Sequence, residues 1–81
     1  MRLPRDISSA DLIKRLQKFG YIISRQKGSH IRVSTNQKGQ HHITIPNHNP
    51  IRLGTLSSII LDVADHFQKT KEEIAEDLFI K

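Results

Sequence analysis

The sequence predicts an α+β fold of two layers: a three-stranded antiparallel sheet with helices packed on one face, in the order helix, three strands, helix, plus a C-terminal helical extension. Three observations carry this. Apolar residues recur at three- and four-residue spacing towards both ends of the 81-residue chain, while the middle alternates with a period of two. Gly20, Gly28, Gly39 and Pro46 fall between these stretches. A chain of this length buries only about three fifths of the surface its unfolded form exposes, so one domain with a thin core is expected. That domain spans residues 1–81, with its core at about 7–66 and the helical extension at about 67–81.

Residues 8–19 are predicted as the first helix, with Leu12, Ile13, Leu16 and Phe19 as one apolar stripe. Ser8 suits the N-cap, Asp11 suits the positive end of the dipole, and Gly20 ends the helix. Lys14, Arg15 and Lys18 fall on its polar side, where cations near a helix C-terminus also serve the dipole. Residues 21–26 and 30–35 read as strands joined by Lys27-Gly28-Ser29, with Gly28 free to take positive φ. Ile31 and Val33 then face one way, and His30, Arg32 and Ser34 the other. Ile22 and Ile23 are both apolar, so neither alternation phase fits the first strand cleanly.

Residues 36–40 form a polar loop, and a third strand over 41–45 stops at Pro46. If Ile43 and Ile45 take the core face, His42 and Thr44 join His30, Arg32 and Ser34 on the open face. After a proline-flanked loop, a second helix opens at 53–55 with Thr55 as its cap, carrying Leu56, Ile59, Ile60 and Val63 inward. Thr70 and Glu73 have the spacing of a capping box. A third helix therefore runs from 71 to about 80, turning Ile74, Leu78 and either Phe79 or Ile80 to the core. Residues 65–69 either separate the two helices or bend one long helix. The order helix, three strands, helix is also that of double-stranded RNA-binding domains.

Charge is divided unevenly. Residues 1–53 hold ten Lys or Arg against Asp6 and Asp11, a net +8, whereas residues 54–81 hold three against six acids, a net −3. A clustered basic surface suits a polyanion, because cations on a phosphate backbone release its counterions. A solvated basic face with no specific ligand would look the same at this level. With no cysteine, disulfides and thiolate metal sites are excluded and a reducing cytoplasm is expected. No apolar stretch has the length of a signal peptide or a membrane span.

Five histidines are the sharpest candidates for chemistry, since imidazole exchanges protons near neutral pH without special tuning. His30 stands out: it follows a glycine turn, opens a strand, and has Arg25, Lys27 and Arg32 close in sequence. Such cations would hold a phosphate while the imidazole moves a proton. A surface histidine beside a turn is otherwise an ordinary solvated residue. His41 and His42 are adjacent, so they point to opposite faces of a strand; His48 lies in the proline-flanked loop, and His66 reads as a partly buried or capping residue. A zinc site from His30, His42 and His48 has no ligand-spacing motif behind it, so neither a metal nor a cofactor is expected. Ser29 precedes His30, but no nearby acid and no nucleophile elbow support a serine hydrolase.

Two stretches together resemble the HicA family of bacterial and archaeal toxins, also known as YcfA-like proteins. The first is Gly20-Tyr21 with Arg25-Gln26-Lys27-Gly28-Ser29-His30; the second is Ile43-Thr44-Ile45-Pro46-Asn47-His48 followed by Leu53-Gly54-Thr55-Leu56 and Ile59. The resemblance covers most of residues 7–60. It implies a double-stranded RNA-binding-like fold and a small endoribonuclease that cuts mRNA, an mRNA interferase of a type II toxin–antitoxin system acting in stress responses. It also implies catalysis by the histidine matching His30 and a HicB-like antitoxin as protein partner. Two departures stand out. Ile31 follows the Gly-Ser-His triplet where similar proteins often carry a further histidine or basic residue, and the tail after Ile60 is longer and more acidic.

Taken together, these readings make His30 the general acid or base of a metal-independent hydrolysis of RNA phosphodiester bonds. Arg25, Lys27, Gly28, Ser29, Arg32, His42 and His48 are expected to bind the RNA. His42 and His48 are the candidates for a second proton-transfer group. A noncatalytic RNA-binding module of the same fold is the alternative, and an interaction domain working through its acidic tail is a third. No membrane partner is expected, and a homo-oligomer is compatible with the sequence.

Overall fold

In a computed structural model describing residues 3–80, the first apolar stripe becomes helix α1, Ser9–Leu16, extended by a 3₁₀ turn at Gln17–Phe19. The expected domain limits at 1 and 81 lie outside the described residues. Ser8 is the N-cap, its hydroxyl accepting the Asp11 backbone N–H at 3.1 Å. Leu12, Ile13, Leu16 and Phe19 are all buried. Gly20 closes the turn at φ +82°, its N–H donating to the Gln17 carbonyl at 2.9 Å.

Strands β1 (Ile22–Lys27), β2 (His30–Thr35) and β3 (His41–Pro46) then form an antiparallel sheet in the order β1-β2-β3. Gly28 and Ser29 make a two-residue hairpin loop. Of the two, only Gly28 has positive φ, at +59°, which is the pattern of a type II′ turn. The third strand runs one residue past its expected end, because Pro46 pairs with His30 on an edge strand, where a missing N–H costs no ladder bond. The ambiguous phase of the first strand has a physical cause. The β1–β2 register shifts between Ile23 and Arg25, a bulge at Ser24 that breaks the alternation in mid-strand.

Helices α2 (Leu53–Phe67) and α3 (Lys71–Phe79) complete the second layer. The N-cap of α2 is Arg52, without a side-chain bond, and not Thr55 as expected. The Ile51 N–H is fixed to the Ile7 carbonyl at 2.8 Å and helical geometry starts at Leu53, so Thr55 is already inside the first turn. The segment between the helices is a break. Gln68 adopts left-handed geometry at φ +55°, and Lys69 N–H bonds back to the Ala64 carbonyl at 3.0 Å.

The capping box at Thr70 and Glu73 is present in both directions. The backbone N–H of Thr70, and then its hydroxyl, hold the Glu73 carboxyl below the usual carboxylate range. Ile74, Ala75 and Leu78 are buried, but Ile80 is 79% exposed and is not a core residue; the half-buried Phe79 packs against the core instead.

The core lies between the helices and one sheet face, where β2 contributes Ile31 and Val33 and β3 contributes Ile43 and Ile45. Every residue of β1 is exposed while β2 alternates, so the helical layer leaves β1 as an overhanging edge. The molecule measures 31 × 30 × 19 Å, and its short dimension holds only two layers. The opposite sheet face is open to solvent.

Candidate active site

The hairpin and its neighbour set the open face out in rows. Lys27 pairs with His30 and His30 with Pro46; one row on, Arg25 pairs with Arg32 and Arg32 with Thr44. Directly opposed side chains stand about 5 Å apart at Cβ. Arg25, Lys27, His30, Arg32 and Thr44 together line a depression of about 470 Å³. No Asp or Glu lines it.

Two arginines opposed across a ladder repel, and no carboxylate beside them relieves it. Among the described residues, the side chains of Arg25, Lys27, His30 and Arg32 have no hydrogen-bond or ion-pair partner. A local conflict of this kind, with open concave geometry, is what an anion would resolve. Other cations of the basic half are used structurally. Arg15 bonds Asp11 at 3.1 Å and the Leu78 carbonyl at 2.8 Å and lies over the Phe79 ring, and Lys18 donates to the Asp77 carbonyl at 2.5 Å. These two tie α1 to the C-terminal end of α3, where cations also complement the dipole.

The remaining histidines divide by face. His41 points inward, with its Nδ1 2.7 Å from the Tyr21 hydroxyl and its Nε2 3.1 Å from Asp62 Oδ1. Its ring stacks on His66 with centroids 4.4 Å apart, and His66 Nε2 donates to the carbonyls of Gln37 and Gly39 at 2.8 and 3.1 Å. This Tyr-His-Asp chain has the connectivity of a catalytic triad but not the chemistry. Tyr21 is fully buried, and burial, reinforced by the Asp62 carboxylate, pushes its phenol well above its ordinary value. A hydroxyl that resists ionisation and meets no solvent is a fastening that ties the residue leading into β1 to β3 and, through His41, to α2. His66 is thus partly buried, and what it caps is the polar loop rather than its own helix.

Four of the expected site residues, Arg25, Lys27, His30 and Arg32, come together in one depression. Gly28 and Ser29 form the turn beside it; the Ser29 carbonyl accepts the Asn47 N–H at 2.7 Å, which ties the proline-flanked loop to the same end of the sheet. His48 lies in that loop, exposed, and its own carbonyl accepts the Ser9 N–H at 3.1 Å. His42 lies on the open face two ladder rows from His30, about 13 Å along the strands at about 3.3 Å per residue, and lines a separate depression. Thr44 is the one lining residue that sequence reasoning did not single out as a site residue, although its outward phase in β3 was the available signal. Among the described residues, no three His, Asp or Glu side chains converge as a metal-binding group would require.

The family model described as the HicA toxin of bacterial toxin–antitoxin systems matches residues 9–64, from the start of α1 to near the end of α2. No curated protein and no solved structure matches the chain. The matched span contains the whole sheet, the His30 hairpin and the depression. This chain belongs to the HicA toxin family of bacterial toxin–antitoxin systems.

Proposed function

We propose that the protein is a metal-independent endoribonuclease that cuts mRNA in the cytoplasm and is neutralised by a HicB-like antitoxin. The observation that carries this is the exposed His30 imidazole ringed by Arg25, Lys27 and Arg32 in a depression without an acid. His30 takes the proton of a ribose 2′-hydroxyl. The freed oxygen bonds to the adjacent phosphorus as the P–O5′ bond breaks, and the leaving 5′-oxygen takes a proton from water. The product ends are a 2′,3′-cyclic phosphate and a 5′-hydroxyl. Arg25 and Arg32 stabilise the extra negative charge on the phosphorus-bound oxygens, a fork geometry suited to phosphate, and Lys27 adds a point charge opposite His30.

The 2′-hydroxyl is the nucleophile in this scheme, so an RNA carrying a single 2′-deoxyribose at a cut site should resist cleavage there and nowhere else. Gel analysis of end-labelled RNA, with EDTA present, reads this out directly; cutting that proceeds through the deoxy position, or that stops on chelation, would remove the mechanism.

The opposed arginines make a second prediction. Arg25→Thr relieves the repulsion and should raise unfolding stability by about 0.2–1 kcal/mol. It should also weaken RNA binding and flatten the slope of log affinity against log salt by about 0.7. Denaturant titration and binding at several salt concentrations check both. A variant that is less stable, or that keeps the parent salt slope, contradicts the assigned role.

A further inference from the structure

The open face continues past the cationic depression. In the next row, Ser34 pairs with His42, and a second depression of about 220 Å³ is lined by Ile22, Ser24, Ser34, Asn36, Gln40 and His42 among others. Its lining has no Lys, Arg, Asp or Glu. Ser34 Oγ stands 2.6 Å from both Ser24 Oγ and His42 Nδ1, and the Ser24 hydroxyl reaches the Arg32 carbonyl at 3.3 Å. Beyond that chain, His42 has no side-chain partner among the described residues, so its Nε2 is left to an incoming group.

The bulge builds this arrangement. Because Ser24 is the extra residue between Ile23 and Arg25, β1 gives Arg25 to the row of Arg32 while Ser24 meets Ser34. One strand thus serves a charged depression and a neutral one side by side.

The geometry points to this second depression as a subsite for one unpaired nucleobase of the RNA, roughly two nucleotides from the scissile phosphate, read by His42 and positioned by Ser34. A phosphate would select cations, which this depression lacks; a base presents a planar apolar face and an edge of mixed donors and acceptors. Ile22, 64% exposed, offers apolar surface to the face. The edge meets the His42 Nε2, whose character follows the serine chain. When Ser34 donates to Nδ1, Nε2 carries the proton and donates; when Nδ1–H donates to Ser34, Nε2 accepts. The Asn36 and Gln40 amides add one donor and one acceptor group each. The separation of about 13 Å from the His30 row suits an extended strand crossing the face and removes His42 from proton transfer at the same phosphate. This inference rests on the substrate being RNA.

The test is an abasic scan. A short single-stranded RNA with one cut site, and a series lacking one base at a time, are assayed for cleavage by the full chain and for binding to its His30→Ala variant by fluorescence anisotropy. Removing the base about two nucleotides to one side of the cut should lower kcat/KM by roughly tenfold. His42→Ala and Ser34→Ala should lose a similar factor on intact RNA and nothing further on that abasic RNA, while Ser34→Thr, which keeps the hydroxyl, restores the parent ratio. A flat scan, or variants that lose equally on intact and abasic RNA, overturns the subsite. If nothing is cleaved but the binding ratio of intact to abasic RNA exceeds one and collapses in His42→Ala, the nuclease reading fails and the subsite stands. If no RNA binds, both fail.

Discussion

His30→Ala should lower the rate of RNA cleavage by about 10²- to 10⁴-fold, the contribution of one positioned acid or base. The effect should fall on kcat with little change in KM, since the Arg25, Lys27 and Arg32 side chains that line the same depression, and are proposed to bind the phosphate, are left in place. Folding should be untouched. The His30 side chain is exposed and without a partner among the described residues, and the hairpin is closed by backbone bonds and by Gly28. Expression of the variant should accordingly no longer arrest growth, while its thermal melt stays at the parent temperature. A variant that binds RNA and still arrests growth as the parent does would exclude catalysis by His30 and favour a noncatalytic RNA-binding module on the same basic face. A lowered melting temperature would instead mean that the loss of activity came from the fold.

The second large effect concerns stability. Gly20→Ala should destabilise the domain by about 2–4 kcal/mol. At φ +82° an L side chain is already strained, and a Cβ there would lie 2.7 Å from both Gln37 Nε2 and Thr35 Oγ1. The glutamine is exposed and can move. Thr35 cannot: it is buried, its hydroxyl donates to the Phe19 carbonyl at 2.8 Å, and it accepts the Gln37 N–H at 3.1 Å. For a domain of this size each kcal/mol shifts Tm by about 4–8 °C, so a fall of roughly 10 °C or more is expected in calorimetry. A loss below about 0.5 kcal/mol would mean that the junction of α1 and β1 is looser than these contacts require.

Much of the site was legible because it is built from short-range rules. A two-residue glycine turn fixes where β2 begins, and strict alternation from there sends His30 and Arg32 to the face opposite Ile31 and Val33. The same alternation in β3 separates His41 from His42 and turns Thr44 outward. What resisted reading was governed by partners distant in sequence. Thr55 satisfies the local preference of a cap, but the backbone bond between Ile51 and Ile7 starts the helix earlier. Ile80 has the character of a core residue, yet the α3 stripe runs through Ile74 and Leu78 and leaves it in solvent.

The chain's sequence alone therefore determined the order of elements, the open sheet face and the presence of His30 on it, because periodicity, turn chemistry and capping act over a few residues. Only the tertiary structure decided which cations remain available there. Arg15 and Lys18 are drawn to the end of α3, while the bulge at Ser24 delivers Arg25 to Arg32 and sets a neutral depression beside the charged one. Register shifts and long-range salt or carbonyl contacts depend on how separate segments meet, and no local pattern encodes that meeting.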